Sequence, residues 1–447
     1  MIKIQVNKNK MEEIEDKHWR WFSETGKKKL ESYLEKGVYK VVIEKKEEIK
    51  DIPKNVYELL EFLNKEKILK SILIGNLIIQ TEKYNSIDNI IEQIKCKFSS
   101  LFNSLIENSI SEFLKKIRLE LEAIRNKNTI EHKKNVEAIK ITMKNFFQCE
   151  KEKVNEDYNK IFNIIDNIKI SGRGIEQLSK LEKIFEEKTE IETNKVLKLI
   201  LNDIFNYDNF IRVNEINSKN NLIRWNAYEL LDELKITTCP YCNRQYIHTY
   251  ISESGKTRAD IDHFYPKSKY PFLSVSLYNF IPSCHTCNSS FKGSIDFYKN
   301  KGIYPYKEDF GQDAKFETKF YTDKDIKDKD KIYDIRYLLG NSDNFKIEIK
   351  PKKPKSHIGK KIQKSIDTFN IQELYNFHKD YIRELIKKAI IYNESRIDEL
   401  YNQYPELFSN REEVLQMVVS NYICDEDLGK RPLAKLTKDI CEELGLR

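Results

Sequence analysis

Between Cys239 and Gly293 the chain carries two Cys-x2-Cys pairs, Cys239/Cys242 and Cys284/Cys287, on either side of Asp260-Ile261-Asp262-His263. Four thiolates arriving as two pairs satisfy tetrahedral zinc and leave no coordination position open, so a zinc ion held there is structural. Chemistry then falls to the residues between and after the pairs. Hydrolysis of a phosphodiester requires a base for the attacking water and a cation that stabilises the charge developing on phosphorus and the leaving oxygen. His263 and Asp262 are adjacent candidates for those two tasks. If they end a strand, alternation sends their side chains to opposite faces, one towards water and the other towards a metal. A second strand over Ser276 to Pro282 would carry Asn279. A helix starting near Asn288 would set Asn288 and Lys292 four residues apart on one face.

The elements that must position these residues differ between the two halves of the 447-residue chain. From about Glu12 to about Leu234 the sequence is poor in Gly and Pro, with apolar residues at helical spacing such as Ile106, Ile110, Phe113, Leu114, Ile117, Leu121 and Ile124. Breakers stand at Pro53 and at Ser171-Gly172-Arg173-Gly174, and Asn202 to Asn221 reads as a long connection or a sub-boundary. No internal repeat is present. At Thr237 the composition shifts to aromatics, Pro and Ser, and the alternation Phe272-Leu273-Ser274-Val275-Ser276-Leu277 predicts short strands. Phe316 to Tyr321 and Phe345 to Ile349 predict a small sheet extending this core, and helical periodicity returns from about Ser365. The expected fold class is α+β: a mostly helical N-terminal domain over 1–236, a zinc-stapled core over 237–310, and a small sheet plus helices over 311–447 that close the core.

Composition narrows the class of function. With 40% hydrophobic residues the chain can bury more than one core, and its net charge of +7 permits a polyanionic partner without requiring one. The apolar run Ile72 to Ile79 is broken by Gly75 and Asn76, far short of the roughly 20 residues of a membrane span. Met1-Ile2-Lys3-Ile4 lacks the apolar core of a signal peptide, and Cys96, Cys149, Cys424 and Cys441 are scattered singly, which suits reduced thiols. A cytoplasmic protein with no membrane partner is expected.

Asp262-His263, Asn279 and Cys287-Asn288-x3-Lys292-Gly293 resemble the motif of the HNH nucleases, the ββα-metal superfamily. The resemblance implies a ββα-metal core and a metal-dependent endonuclease. His263 would be the general base, and Asn279 would hold the His loop by hydrogen bonds across the hairpin. Asp262 and Asn288 would bind a catalytic divalent ion, Mg2+ or Mn2+, with Asp260 behind them and Lys292 paired with phosphate oxygens. Family members leave a 5′-phosphate and a 3′-hydroxyl. Asn288 stands where many members carry His, which implies an oxygen-donor site favouring Mg2+; His285 is not at a motif position. Asp260 to Pro266, Leu277 to Gly293, Ile303 to Tyr306 and Leu428 to Leu436 are similar to the HNH subunit of bacterial Septu-type anti-phage systems, including retron-linked ones. That implies a defence effector with a separate ATPase partner, and this chain has no Gly-x4-Gly-Lys-Ser/Thr loop of its own. DNA is the favoured substrate. The alternatives are an RNA-cleaving effector acting, for example, on transfer RNA, and an idle zinc-stabilised scaffold that docks the ATPase.

Other features carry weaker signals. Lys350, Lys352, Lys353, Lys355, Lys360, Lys361 and Lys364 form the densest basic run, kept extended at its start by Pro351 and Pro354. It suits either a phosphate backbone or a solvated loop. Phe264, Tyr265, Tyr270, Phe272, Tyr278 and Phe280 surround the motif and read as core before they read as base-stacking groups. Arg125 and His132 read as a solvated helical face.

Overall fold

In the computed structural model the described residues are 1–103 except 44–45, the single positions 105, 114, 117, 118 and 121, then 136–144, 158–168, 176–181, 191–212, and 225–446 except 253 and 323. Arg125, His132, Cys149 and the breaker at 171–174 lie outside them.

The N-terminal half is built from α1 (Lys8–Phe22), α2 (Lys28–Lys36), α3 (Lys54–Leu63), α4 (Glu66–Ile74), α5 (Ile87–Lys97), α6 (Tyr158–Asp166), α7 (Ile191–Ile204), α8 (Tyr207–Phe210) and α9 (Ala227–Leu234). Helix α1 shows why these segments coil: Asn7 caps it by accepting from the Asn9 amide, and Met11, Ile14, His18, Trp21 and Phe22 fall on one buried stripe. Between α2 and α3 an antiparallel hairpin, β1 (Val38–Ile43) with β2 (Lys46–Asp51), interrupts the helices. The β-branched run after Gly37 carried that signal. The half also divides by packing. Leu114, Ile139, Met143, Ile161, Ile165 and Leu181 belong to a cluster of their own, while helices α1–α5, α7 and α9 share one core with the C-terminal half. Among the described residues no helix is long and apolar enough to cross a membrane.

The segment that carries the motif is mostly turns around one short hairpin. A two-stranded pair β3 (Tyr250–Ile251) and β4 (Lys256–Thr257) precedes β5 (Asp260–His263), which runs antiparallel to β6 (Phe280–Ser283) with Asp262 opposite Ile281 and His263 opposite Phe280. The alternating stretch Phe272 to Leu277 is not a strand. It forms 3₁₀ turns at Pro271–Leu273 and Leu277–Asn279, because no neighbouring strand pairs with it and its carbonyls are used by side chains instead. The helix expected from Asn288 begins earlier: Thr286–Lys292 is a widened turn that grows directly out of the second Cys pair and closes with an i→i+5 bond from the Gly293 amide to the Asn288 carbonyl.

Strands β7 (Ala314–Phe320) and β8 (Phe345–Pro351) form their own two-stranded sheet, which joins the core by side-chain packing and does not extend β5–β6. Helices α10 (His357–Thr368), α11 (Ile371–Tyr375), α12 (Lys379–Ile391), α13 (Glu394–Gln403), α14 (Arg411–Val419) and α15 (Ala434–Glu443) complete the chain. Helix α10 starts eight residues before Ser365, the expected start, because Ser356 caps it by accepting from the Gly359 amide. The lysine run is therefore divided between the end of β8, a turn and a helix, and Lys361 is buried on Glu308 at 2.7 Å. The tail returns to the first Cys pair, where Thr238 donates to the Gly429 carbonyl at 2.8 Å and the Lys435 amide donates to the Asn243 side chain at 3.0 Å.

One buried histidine ties α1 to the motif segment. His18 Nε2 donates to the Val275 carbonyl at 2.7 Å, and Trp225 Nε1 donates to His18 Nδ1 at 3.0 Å, so the ring is neutral. Burial lowers its pKa to about 4. The contribution of neutral His18 to stability should be full above the unfolded value of about 6.5 and should fade as pH drops from there towards 4. His18→Ala strands a buried donor and acceptor and should cost about 3 kcal/mol in urea unfolding at pH 7. A wild-type melting temperature that does not fall more steeply than the variant's between pH 6.5 and 4 would contradict this assignment.

Candidate functional site

Cys239, Cys242, Cys284 and Cys287 are all buried, and their sulfurs lie within 4.8 Å of one another. Zinc–sulfur bonds of about 2.3 Å in a tetrahedron put sulfurs about 3.8 Å apart, and Cys242 and Cys284 are separated by 3.9 Å. The four thiolates thus fit a zinc ion, which would cross-link the turn before β3 to the turn after β6. Each Cys pair also brings an unforeseen partner for the acid at the middle of β5. Tyr241, inside the first pair, donates its hydroxyl to Asp262 Oδ2 at 2.6 Å. Lys292, at the end of the turn that begins with the second pair, donates to Asp262 Oδ1 at 2.9 Å and to the His263 carbonyl at 2.6 Å.

Lys292 therefore occupies a different place from a phosphate-facing lysine. Its side chain is fully enclosed, with the ammonium 5.4 Å above the Phe297 ring. Asp262 is 2% exposed, and burial pushes its carboxyl up despite the opposing effects of Lys292 and Tyr241. It is a buried anion whose partners do not fully offset the loss of water. Each of its oxygens has accepted one bond and retains a lone pair.

Asn288 has another partner. Its Nδ2 donates to Asp260 Oδ2 at 3.2 Å, and the exposed His285 reaches the same oxygen through Nδ1 at 2.9 Å. Asp262 and Asn288, read from the sequence as joint ligands, are thus engaged with different neighbours. The donor set still suits a hard divalent ion: Asp262 offers carboxylate lone pairs and Asn288 the oxygen of an amide already oriented by Asp260. These two are the residues of the set that would hold such an ion, which would supply positive charge there.

His263 ends β5 and is 8% exposed. Its Nε2 lies 2.8 Å from the Ser274 carbonyl, which can only accept, so Nε2 carries the proton and Nδ1 keeps a lone pair. Burial, reinforced by Lys267 and Lys292, lowers its pKa to about 3, against the Ser274 carbonyl, which favours the charged form. The ring is boxed by Phe280, 5.4 Å away, and Tyr207, 4.6 Å away at 72°. Tyr207 comes from α8 in the helical half, and its phenol is pushed up to about 12, chiefly by burial and then against the charge of Arg258. No sequence signal marked Tyr207 or Arg258.

Asn279 is completely buried and uses both ends of its amide. Oδ1 accepts from the Tyr265 amide at 2.7 Å, and Nδ2 donates to the carbonyls of Tyr265 at 3.0 Å and Leu273 at 3.2 Å. It pins both ends of the loop between His263 and the second strand, and thereby the Ser274 carbonyl. Of the surrounding aromatics, Phe264, Tyr265, Tyr270, Phe272 and Phe280 are core, and Tyr278 is partly buried with its hydroxyl on Glu15 at 2.7 Å.

Two variants should separate the zinc knot from the loop clamp. Cys284→Ser should lose zinc and cooperative melting together, because zinc-binding free energy is folding free energy here. Asn279→Ala should retain its zinc, measured by elemental analysis, yet lose about 3 kcal/mol in urea unfolding, since it strands the buried amide and carbonyl of Tyr265. Full zinc and a normal melt in Cys284→Ser would refute the knot.

Against this geometry, comparison with known proteins adds two similarities. A stretch of 70 residues, 15% of the chain, is 36% identical to protein ea31 of Escherichia phage lambda and covers 20% of it. A stretch of 106 residues, 24% of the chain, is 31% identical to the Septu protein PtuB of Bacillus thuringiensis and covers 38% of it. No family model and no solved structure matches. The chain thus aligns with well under half the length of these curated relatives, and what it shares with them is a local similarity that includes a Septu protein.

Proposed function

We propose that the chain is a metal-dependent HNH endonuclease acting on DNA, the effector nuclease of a bacterial anti-phage system. The observation that carries this reading is His263: a buried, neutral imidazole whose Nε2–H is fixed on the Ser274 carbonyl, which leaves Nδ1 with the lone pair of a base. His263 Nδ1 takes a proton from water, the resulting hydroxide attacks phosphorus, and the bond from phosphorus to the 3′-oxygen breaks. The 3′-oxygen then takes a proton from solvent, giving a 5′-phosphate and a 3′-hydroxyl. Asp262 and Asn288 are the proposed ligands of Mg2+ or Mn2+, and the four cysteines those of structural zinc. The defence role draws support from the likeness to the Septu protein PtuB, and a separate ATPase is the partner implied by the resemblance of the motifs.

A second reading has its own observation. Lys292 and Tyr241 already occupy Asp262, and Asn288 is turned to Asp260, as would suit an idle scaffold that binds zinc and docks its partner. Purified protein assayed on plasmid, single-stranded DNA and total RNA with Mg2+ or Mn2+ separates the readings. Metal-dependent cutting is expected, with a loss of at least about a hundredfold in His263→Ala while zinc and a cooperative melt are retained. Because burial holds the base near pKa 3, the loss of rate expected when an ordinary histidine protonates near 6.5 should be absent down to about pH 5. Cutting that survives in His263→Ala would sink the base assignment. Zinc binding without any second divalent site in a metal titration would favour the scaffold.

A further inference from the structure

Resting on the nuclease reading, we infer that the helical half builds one wall of the substrate channel: a cleft of 720 Å³ lined by Lys29, Lys198, Tyr207, Arg212, Lys267 and Ser274 carries the phosphate backbone of the nucleic-acid strand to His263.

Two of the lining residues, Ser274 and Tyr207, touch the His263 ring. Ser274 supplies the carbonyl that fixes the His263 ring, and Tyr207 packs edge-on against that ring at 4.6 Å. Lys267, in the loop clamped by Asn279, sits over the Tyr207 ring with its ammonium 4.2 Å from the centroid. The cations come from separate segments. Lys29 belongs to α2, Lys198 to α7, Arg212 to the turn after α8, and Lys267 to the motif segment. Folding gathers on one surface four charges that no stretch of sequence displays together.

Two carboxylates temper them. Asp208 lines the cleft 4.0 Å from Lys267, and Asp203 holds Lys29 at 2.6 Å. Both pairs are substantially exposed, at 46% and 74% for Lys267 and Asp208 and 44% and 39% for Lys29 and Asp203. Such pairs are weak, so a phosphate can compete for the lysines. Cations gathered in one cleft beside an aromatic ring suit a polyphosphate chain, with affinity that falls steeply with salt. The dense lysine run at 350–364 lies elsewhere and is partly spent, Lys350 on Glu348 at 2.8 Å and Lys361 on Glu308.

The test is equilibrium binding of a fluorescent single-stranded DNA oligonucleotide, and of RNA of the same sequence, to the full chain carrying His263→Ala, in EDTA across a range of salt. Adding Arg212→Glu and Lys267→Glu should weaken binding by about tenfold or more and lower the slope of log affinity against log salt by about 1.4, at about 0.7 per contact. Lys352→Glu with Lys353→Glu should leave both unchanged. The milder Arg212→Gln with Lys267→Gln, checked for zinc content and melting, should shift both in the same direction if the reversals perturb folding. The nucleic acid whose binding depends on Arg212 and Lys267 identifies the strand as DNA or RNA. Binding insensitive to these cleft residues, in a protein whose wild type cuts, overturns the channel and leaves the nuclease reading standing. A wild type that neither binds nor cuts either polymer overturns both.

Discussion

Two successive peptide carbonyls, those of Ser274 and Val275, organise the centre of this molecule. The first accepts from His263 Nε2 at 2.8 Å and the second from His18 Nε2 at 2.7 Å. A carbonyl cannot donate, so each bond fixes the tautomer of its histidine as well as its position. One histidine belongs to the motif and the other to α1, and the short segment between Pro271 and Asn279 has to present both acceptors at once. A regular strand would direct alternate carbonyls to ladder partners. The consecutive 3₁₀ turns instead leave these two carbonyls for side chains, which explains why hydrophobic alternation here does not produce a strand. Asn279 holds the arrangement by binding the loop at Tyr265 and Leu273.

The same economy joins the cysteine cluster to Asp262. Tyr241 lies between the cysteines of the first pair, and Lys292 closes the turn that starts at the second, so the packing that gathers the cysteines also sets both partners of the buried carboxylate. Tyr241 in turn stacks on Phe369 at 4.3 Å, and Tyr375 donates to the Cys242 carbonyl at 2.6 Å. The C-terminal helices therefore stabilise the site from behind. Their attachment has a direct physical basis, because a two-stranded hairpin alone is at best marginally stable and this one needs packing on more than one side.

How much of this could be read from the sequence depended on where the information resides. The cysteine spacing, Asp262-His263 and Asn279 are side-chain patterns within one segment, and the sequence shows them directly. The acceptors for His263 and His18 are backbone carbonyls, which every residue possesses, so nothing in the sequence marks Ser274 or Val275. Tyr207 and Arg212 approach the site only through tertiary packing of α7 and α8. Lys292 illustrates a different gap: spacing put it on the same helical face as Asn288, but the turn widens at this point, and its side chain points inward to Asp262 while Asn288 meets Asp260 near the surface. The hairpin β1–β2 was legible in Val38 to Ile43 and was hidden by the helical composition on either side of it.

A base held near pKa 3 is poorly matched to proton abstraction at neutral pH, since the driving force for accepting a proton falls with its pKa. The causes of the depression are burial first, then the charges of Lys267 and Lys292. Of these, Lys267 faces the cleft beside Tyr207, where an anionic phosphate would pair with it and remove part of its effect on the ring. Phosphate arriving within a few ångströms would also favour the imidazolium directly. On the nuclease reading, the base would then gain strength as substrate enters and stay weak in the empty cleft.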